Sequence, residues 1–319
     1  MKILIAASIQ GDGSYEEEEL TKLLEQMLRD QGHTVDYFFL PYERNILSLP
    51  DQILAYQLLR IEECDRLITI GYPACMLRHP NKTVYLFQTE PMLAEYWDSA
   101  YGVLANYQYS SILLTIRKIE EETFSRAKRV FCSTELLTED LRVRFGLSCE
   151  TLLCPPLPCP PLPYKPEEKP YIACESSLLP WQRWELLREF SRYAPVHLFV
   201  PNSHTVYLES AQRILAREGL EERIQLMRQR CGREELEGAA IVAVTDYQAR
   251  RIPNLARQAM ALGKSVTAME DSGALCAFLP QENIIPPSKI STARFNQMRP
   301  VKEPTSAPDA AKFARELLK

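Results

Sequence analysis

The sequence predicts an α/β protein made of two doubly wound halves. Three observations point there. Apolar strand-like runs alternate with amphipathic helical patterns from the N-terminus onward, a proline tract breaks the alternation near the middle of the chain, and the alternation resumes beyond it. The joins are short, which demands right-handed crossovers and hence parallel sheets.

KILIAAS (2–8) is the first strand. Its apolar run is too short, and the segment after it too acidic, for a secretion signal. After the turn GDGS, Leu20, Leu23, Leu24, Met27 and Leu28 recur at three- and four-residue intervals and form one apolar helical stripe. Gly32 ends this helix and HTVDYFFL is the second strand. A helix follows over DQILAYQLLRIEE, then strands at DRLITIG, TVYLFQ and RVFCS. SSILLTIRKIEEETFSRA reads as a helix between the last two, and ELLTEDLRVRFG as one after them.

LLCPPLPCPPLPYKPEEKP (152–170) differs, because its prolines fix φ and remove backbone donors. It reads as an extended spacer, with a docking ligand for a proline-reading domain as the alternative. The second half runs YIACESS (strand), LPWQRWELLREFSRY (helix), VHLFVPN (strand) and VYLESAQRILAREG (helix). RIQLM, AAIVAV and KSVTAM are further strands, with REELEG and NLARQAMALG as helical pieces. The domains expected are thus 1–155, a Pro-rich hinge 156–170, a second domain 171–287, and a tail 288–319 with a terminal helix at DAAKFARELLK.

Composition narrows the class of partner. The chain has 319 residues, 46% hydrophobic and 25% charged, with a net charge of -5. That suits a soluble pair of domains and offers no electrostatic reason to expect nucleic acid. No apolar run reaches the ~18 residues of a bilayer span. Nine cysteines, an odd number scattered through apolar contexts, suit reduced thiols in a cytoplasmic protein. No Cys/His pair stands at metal-ligand spacing near CPPLPC. Dinucleotide, P-loop, zincin and nucleophile-elbow motifs are all missing, and GDG after the first strand is a weak phosphate signal.

The order of segments resembles one known family. GYPACMLRHPNKTVYLFQTEPMLAEYWD is similar to the middle of the N-terminal domain of family 4 glycosyltransferases. KRVFCSTELLTEDLRVRFG followed by LLCPPL resembles the family's last N-domain strand and helix and its interdomain hinge. QAMALGKSVTAMEDSG resembles its EAMASGKPVV segment with the DSGG that follows. The likeness touches most of the chain in the family's order. It implies a GT-B fold of two Rossmann-like domains facing a cleft, with the acceptor on the first domain and the nucleotide-sugar on the second. It also implies that no metal or other cofactor is needed. A departing nucleoside diphosphate gathers negative charge, which cations and helix N-terminal amides can hold in place of a metal.

Carried over position by position, the resemblance places the donor site on residues that depart from the family pattern. Ser177 stands where the family has Arg, and Arg183 lies one place beyond Gln182, which stands for its Lys. His204 follows a strand where the Gly-rich donor loop would lie. Arg250 and Gln258 replace the pair of acids eight residues apart, with Arg251 and Asn254 beside them, and Pro253 replaces a phosphate-approaching glycine. On the acceptor side, Gly13 and Ser14 keep the first turn small, and Gln88 and Thr89 stand in the histidine-bearing stretch. Glu90 is the candidate catalytic base.

Losing one preorganised donor at a developing charge costs ~3 kcal/mol, about a hundredfold in rate. Two functions therefore stay open. One is a divergent glycosyltransferase in which Arg250 and Arg251 take phosphate and Gln258 keeps amide contacts to ribose. The other is a pseudo-glycosyltransferase that keeps the scaffold as a binding or partner subunit. A protein partner and peripheral contact with a membrane stay open too. Plainer roles stand beside the sharp ones: Arg250 and Arg251 as a solvated face, His79 capping a turn before Pro80, and Trp181 and Trp184 as packing. Glu16–Glu19 would favour the helix macrodipole, while His33 and His197 border strands and read as structural.

Overall fold

The computed structural model describes residues 1–10, 15–43, 48–61, 64–87, 100–155, 157, 171–175, 184–200, 205–229, 231–245, 252–285 and 309–319. The chain divides into two compact units, Met1–Leu157 with Ser306–Lys319, and Pro158–Thr305. Of the proline tract, residues 156 and 158–170 lie outside the described residues, as do 286–308 of the expected tail.

The first unit carries β1 (Lys2–Gln10), α1 (Tyr15–Asp30), β2 (Thr34–Tyr42), α2 (Leu49–Leu58), β3 (Arg66–Ile70) and β4 (Lys82–Leu86). It continues with α3 (Ala100–Ser125), β5 (Arg129–Cys132), α4 (Glu135–Phe145) and β6 (Glu150–Thr151). All six strands run parallel in the order β2-β1-β3-β4-β5-β6. The strand period of two sorts their side chains between two cores. Ile3, Ile5, Ala7, Ile68, Ile70, Tyr85 and Phe131 face α1. Ala6, Leu67, Val84, Leu86, Val130 and Cys132 face α2, α3 and α4.

Local signals set the helix ends. In α1, Leu20, Leu24 and Leu28 are fully buried at four-residue spacing. The helix stops where Gly32 turns to φ 83° and the His33 N–H reaches back to the Leu28 carbonyl at 3.1 Å. Thr134 caps α4 by accepting from the Leu137 N–H, and Gly146 ends it in the left-handed region. The helix expected from Ser110 starts at Ala100 instead: residues 100–109 hold no proline and a single glycine, so nothing breaks it. Strand β6 has two residues, too few for a periodic pattern to show.

The terminal helix, α9 (Ala310–Leu318), completes the first unit rather than the second. Asp309 caps it by accepting from the Lys312 N–H at 2.7 Å. Phe313, Ala314 and Leu317 are 0% exposed and join the core of α1 and β1, with the Phe313 ring edge-on to Tyr85 at 5.0 Å. Two arginines receive its C-terminal carbonyls: Arg66 Nη1 donates to Leu317 at 3.3 Å and Arg129 Nη1 to Glu316 at 3.2 Å. Both cations thus sit at the negative end of the helix dipole. Arg129 also forks onto Glu150 and lies over the Phe131 ring at 4.5 Å.

The second unit holds β7 (Tyr171–Glu175), α5 (Trp184–Phe190), β8 (Val196–Phe199), α6 (Thr205–Glu218) and β9 (Ile224–Met227). After these come α7 (Arg233–Gly238), β10 (Ala239–Val244), α8 (Asn254–Ala261), β11 (Ser265–Met269) and β12 (Ile284–Ile285). Its sheet is parallel, in the order β12-β11-β10-β7-β8-β9. Counted within the unit this is 3-2-1-4-5-6, the dinucleotide-fold order, whereas the first unit has the 2-1-3-4-5 order extended by one strand. Ile172, Cys174, Val196 and Leu198 pack with α5 and α6, and Ala173, Val242, Val266 and Ala268 with α7 and α8. Trp184 packs against the former core. His197 is buried inside β8, stacked on Tyr171 with centroids 3.8 Å apart, and Tyr171 donates its hydroxyl proton to the Glu235 carbonyl.

Among the described residues no helix is long and apolar enough to cross a membrane. Phe313→Ala should destabilise the first unit by about 3–5 kcal/mol, the usual cost of emptying a buried aromatic site, read by denaturant unfolding. A second test concerns Lys82, which is buried and donates to the carbonyls of Cys75 (2.7 Å) and Leu77 (2.8 Å). Burial lowers its pKa to about 8. Between about 8 and the free lysine value of 10.5 the unfolded chain holds a proton that the native one has lost. Wild type should therefore gain stability relative to Lys82→Met as pH rises from 7.5 to 10, by at most ~3 kcal/mol.

Candidate functional site

In parallel doubly wound sheets a ligand crevice forms beside the carboxyl ends of the strands, where the strand order reverses. Ten of the residues singled out from sequence lie outside the described residues: Gly13, Ser14, Gln88, Thr89, Glu90, Ser177, Arg183, His204, Arg250 and Arg251. In sequence, Gly13 and Ser14 fall between β1 and α1, Gln88 to Glu90 between β4 and α3, Ser177 and Arg183 between β7 and α5, His204 between β8 and α6, and Arg250 and Arg251 between β10 and α8.

The other two, Asn254 and Gln258, are brought together on α8. Leu255, Ala256, Ala259 and Met260 bury one face of this helix in the core under β10 and β11. That leaves Asn254 and Gln258, four residues apart, as neighbours on the half-exposed face with Arg257 between them. Pro253 precedes the helix and no side chain caps it, so its first intrahelical bond is Arg257 N–H to the Pro253 carbonyl at 3.1 Å. The preceding three N–H groups form the positive end of the helix dipole. This end lies beyond β10, and β10 and β7 are the strands between which the order reverses. Chemically, α8 offers neutral amides that both donate and accept, beside a helix end that favours an anion.

The rest of the family-like segment serves the fold. Gly263, at φ 66°, ends α8 and lets the Lys264 N–H reach the Ala259 carbonyl at 2.9 Å. Lys264 Nζ donates to the carbonyls of Glu237 and Ala239 where α7 passes into β10, and burial lowers its pKa. In the DSG turn after β11, Ser272 is fully buried and donates its N–H to the Met269 carbonyl at 3.0 Å.

At the reversal point of the first unit, between β1 and β3, the structure gathers residues that sequence reasoning missed. Ser8 Oγ accepts from the Ala74 N–H at 2.7 Å, and Gly71, at φ 76°, donates to the Tyr85 carbonyl. Glu16 is buried in the first turn of α1, and a Cβ on Gly71 would meet Glu17 Cγ at 3.1 Å. The sequence assigned these glutamates to the helix dipole alone; GYP directly after the apolar strand was the available sign of a special turn. His79 is settled as a turn residue. Its Nδ1 accepts from the Asn81 N–H at 3.1 Å, so the ring proton sits on Nε2 and donates to the Cys64 carbonyl at 3.2 Å. Among the described residues no group of three or more His, Cys, Asp or Glu side chains is placed to hold a metal ion.

No family model and no curated protein matches the chain. Solved structures do. Anabaena HepE in complex with UDP aligns at a TM-score of 0.57 with 12% identity, over 100% of this chain and 90% of that one. A glycosyltransferase from Rickettsia africae aligns at 0.55 with 12% identity, over 99% and 88%. S. aureus TarM, in complex with fondaparinux, α-GlcNAc-glycerol and UDP, aligns at 0.54 with 15% identity, over 84% and 55%. These neighbours are glycosyltransferases of the GT-B type, and the chain has their α/β fold.

Gly71→Ala should cost about 1–2 kcal/mol through its positive φ, and more through the contact with Glu17. In a Glu17→Ala background the contact part should vanish while the φ part remains, which a double-mutant cycle in denaturant would separate.

Proposed function

We propose that the chain binds a nucleotide-sugar at the carboxyl edge of the second unit's sheet and transfers the sugar to a glycan, lipid or protein acceptor, as a divergent relative of the family 4 glycosyltransferases. The observation that carries this reading is the full-length likeness to HepE, whose structures hold UDP, UDP with glucose, and UDP-glucose. The 3-2-1-4-5-6 strand order and the N-terminus of α8 at the reversal point support it. In this reading the α8 amides and Arg183, Arg250 and Arg251 hold the diphosphate, so no metal is required. Asn254 and Gln258 bond hydroxyls of the ribose or sugar, with Ser177 and His204 beside them. Gly13, Ser14, Gln88 and Thr89 receive the acceptor, and Glu90 takes its proton.

One observation favours a second reading, a nucleotide-sugar-binding partner subunit without turnover. Gln258, which is half-buried on α8, brings a neutral amide to a position where the family pattern has an acid.

Thermal-shift and calorimetric titration with UDP, UDP-glucose and related nucleotide-sugars tests both. A ligand present at about 100 times its Kd should stabilise the fold by ~2.7 kcal/mol. Gln258→Ala and Arg250→Ala should each weaken binding by about tenfold, one good hydrogen bond or more. Release of UDP in the presence of acceptor supports transfer, and saturable binding without release supports the partner subunit. Silence across the panel at millimolar ligand would sink both.

A further inference from the structure

A cavity at the amino edge of the first unit's sheet is left unused by the proposed function. Helix α2 starts beyond the carboxyl end of β2, runs back along the sheet and stops at Leu58, and the chain then returns to the start of β3. Between that return and the amino ends of β1 and β2 lies a cavity of about 480 Å³. It is about 20 Å along β1 from Ser8, at the opposite edge from the reversal-point crevice.

Leu4 and Ile61 give the cavity an apolar surface, Lys2 and Arg60 two cations, Asp36 an anion and Cys64 a thiol. The strand period brings the strand residues together. Leu4 stands opposite Asp36 in the β1–β2 ladder and packs toward the α2 side, and Lys2, two residues earlier, shares that face. The three charged residues are exposed, while Leu4, Ile61 and Cys64 are half-buried. Glu62 and Glu63 lie outside the described residues.

Hydrogen bonds brace the walls. The Lys2 N–H donates to Asp65 Oδ2 at 2.7 Å and the Asp65 N–H to the Lys2 carbonyl at 2.8 Å, which ties the return to β1. His79 Nε2 donates to the Cys64 carbonyl at 3.2 Å and stands 3.5 Å from Cys64 Sγ. Asn81 Nδ2 donates to the Asp65 carbonyl at 2.6 Å. At the end of α2, Tyr56 donates its hydroxyl proton to the Pro41 carbonyl of β2, and Arg78 Nη2 donates to Gln57 Oε1 at 3.3 Å. Walls held in this way lose little freedom when the cavity fills.

The volume falls within the range of small-molecule sites, about 300–1,000 Å³. A phosphate would meet Asp36, and a simple amine would meet Lys2 and Arg60. A zwitterion answers both signs.

We propose that this cavity binds a small zwitterion, a free α-amino acid with an apolar side chain. Its carboxylate faces Lys2 and Arg60, its ammonium faces Asp36, and its side chain rests on Leu4 and Ile61. Charge-assisted hydrogen bonds orient it and apolar burial adds to its affinity. The site is independent of nucleotide-sugar binding and is tested without it.

Calorimetric titration of the full chain with L-leucine, N-acetyl-L-leucine and L-leucinamide is the test. Leucine should bind saturably, and the analogues, which lack the ammonium or the carboxylate, about tenfold more weakly. Asp36→Asn should weaken leucine binding by a similar factor and leave that of N-acetyl-L-leucine unchanged. Arg60→Gln should weaken leucine binding and leave that of leucinamide unchanged. Both positions are exposed, so both variants should keep the wild-type denaturant midpoint. Bound leucine should also slow alkylation of Cys64, mapped by mass spectrometry, while Cys276 in the second unit keeps its rate. Three results would overturn the proposal. They are neither heat nor Cys64 protection with leucine, methionine or phenylalanine at millimolar concentration, equal binding of leucine and either analogue, and leucine binding indifferent to Asp36→Asn.

Discussion

A parallel strand cannot be followed by a tight hairpin; the chain has to cross one face of the sheet before the next strand can pair. Both sheets here are parallel through all their described strands, so both faces of each must be apolar and both must be covered by helices. From that constraint follows the place where chemistry can occur. Strand-to-helix joins all leave from the carboxyl edge, and the crossovers separate where the strand order reverses. In the first unit the reversal lies between β1 and β3, next to Ser8, Gly71 and the first turn of α1. In the second it lies between β7 and β10, next to α8.

The same constraint explains the terminal helix. The face of the first sheet that α1 covers would be only partly shielded by α1, and Phe313, Ala314 and Leu317 fill the remainder beside Tyr85. Burial drives the docking, and direction comes from polar groups. Arg66 and Arg129 stand where the last carbonyls of α9 arrive, and Arg129 is itself held by Glu150 and Phe131. A buried guanidinium is acceptable there because the helix end supplies acceptors and partial negative charge together.

Within α8 and the turn after it, core-packing and outward-facing residues share one short segment. Residues 254–264 carry both: Leu255, Ala256, Ala259 and Met260 pack inward, Gly263 and Lys264 close off the helix, and Asn254 and Gln258 are left on the other side. A family-like pattern in this stretch is thus largely a folding requirement. A fold likeness at 12% identity shows the fold and leaves function to experiment.

By itself, the sequence determined the alternation of strands and helices, the division into two α/β halves, and the ends of α1 and α4. Those features rest on period, Gly32 and Gly146, and the Thr134 cap, which act over a few residues. The outer-face placement of Asn254 and Gln258 was legible for the same reason, since the helical repeat dictates it. Only the tertiary structure decided which unit α9 completes, the different strand orders of the two sheets, and the short strands β6 and β12. Each depends on residues distant in the chain, as Arg66 and Leu317 are at a separation of 251. Local propensity carries no record of such meetings, because they are chosen by the burial and hydrogen bonding of surfaces that exist only once the sheets have formed.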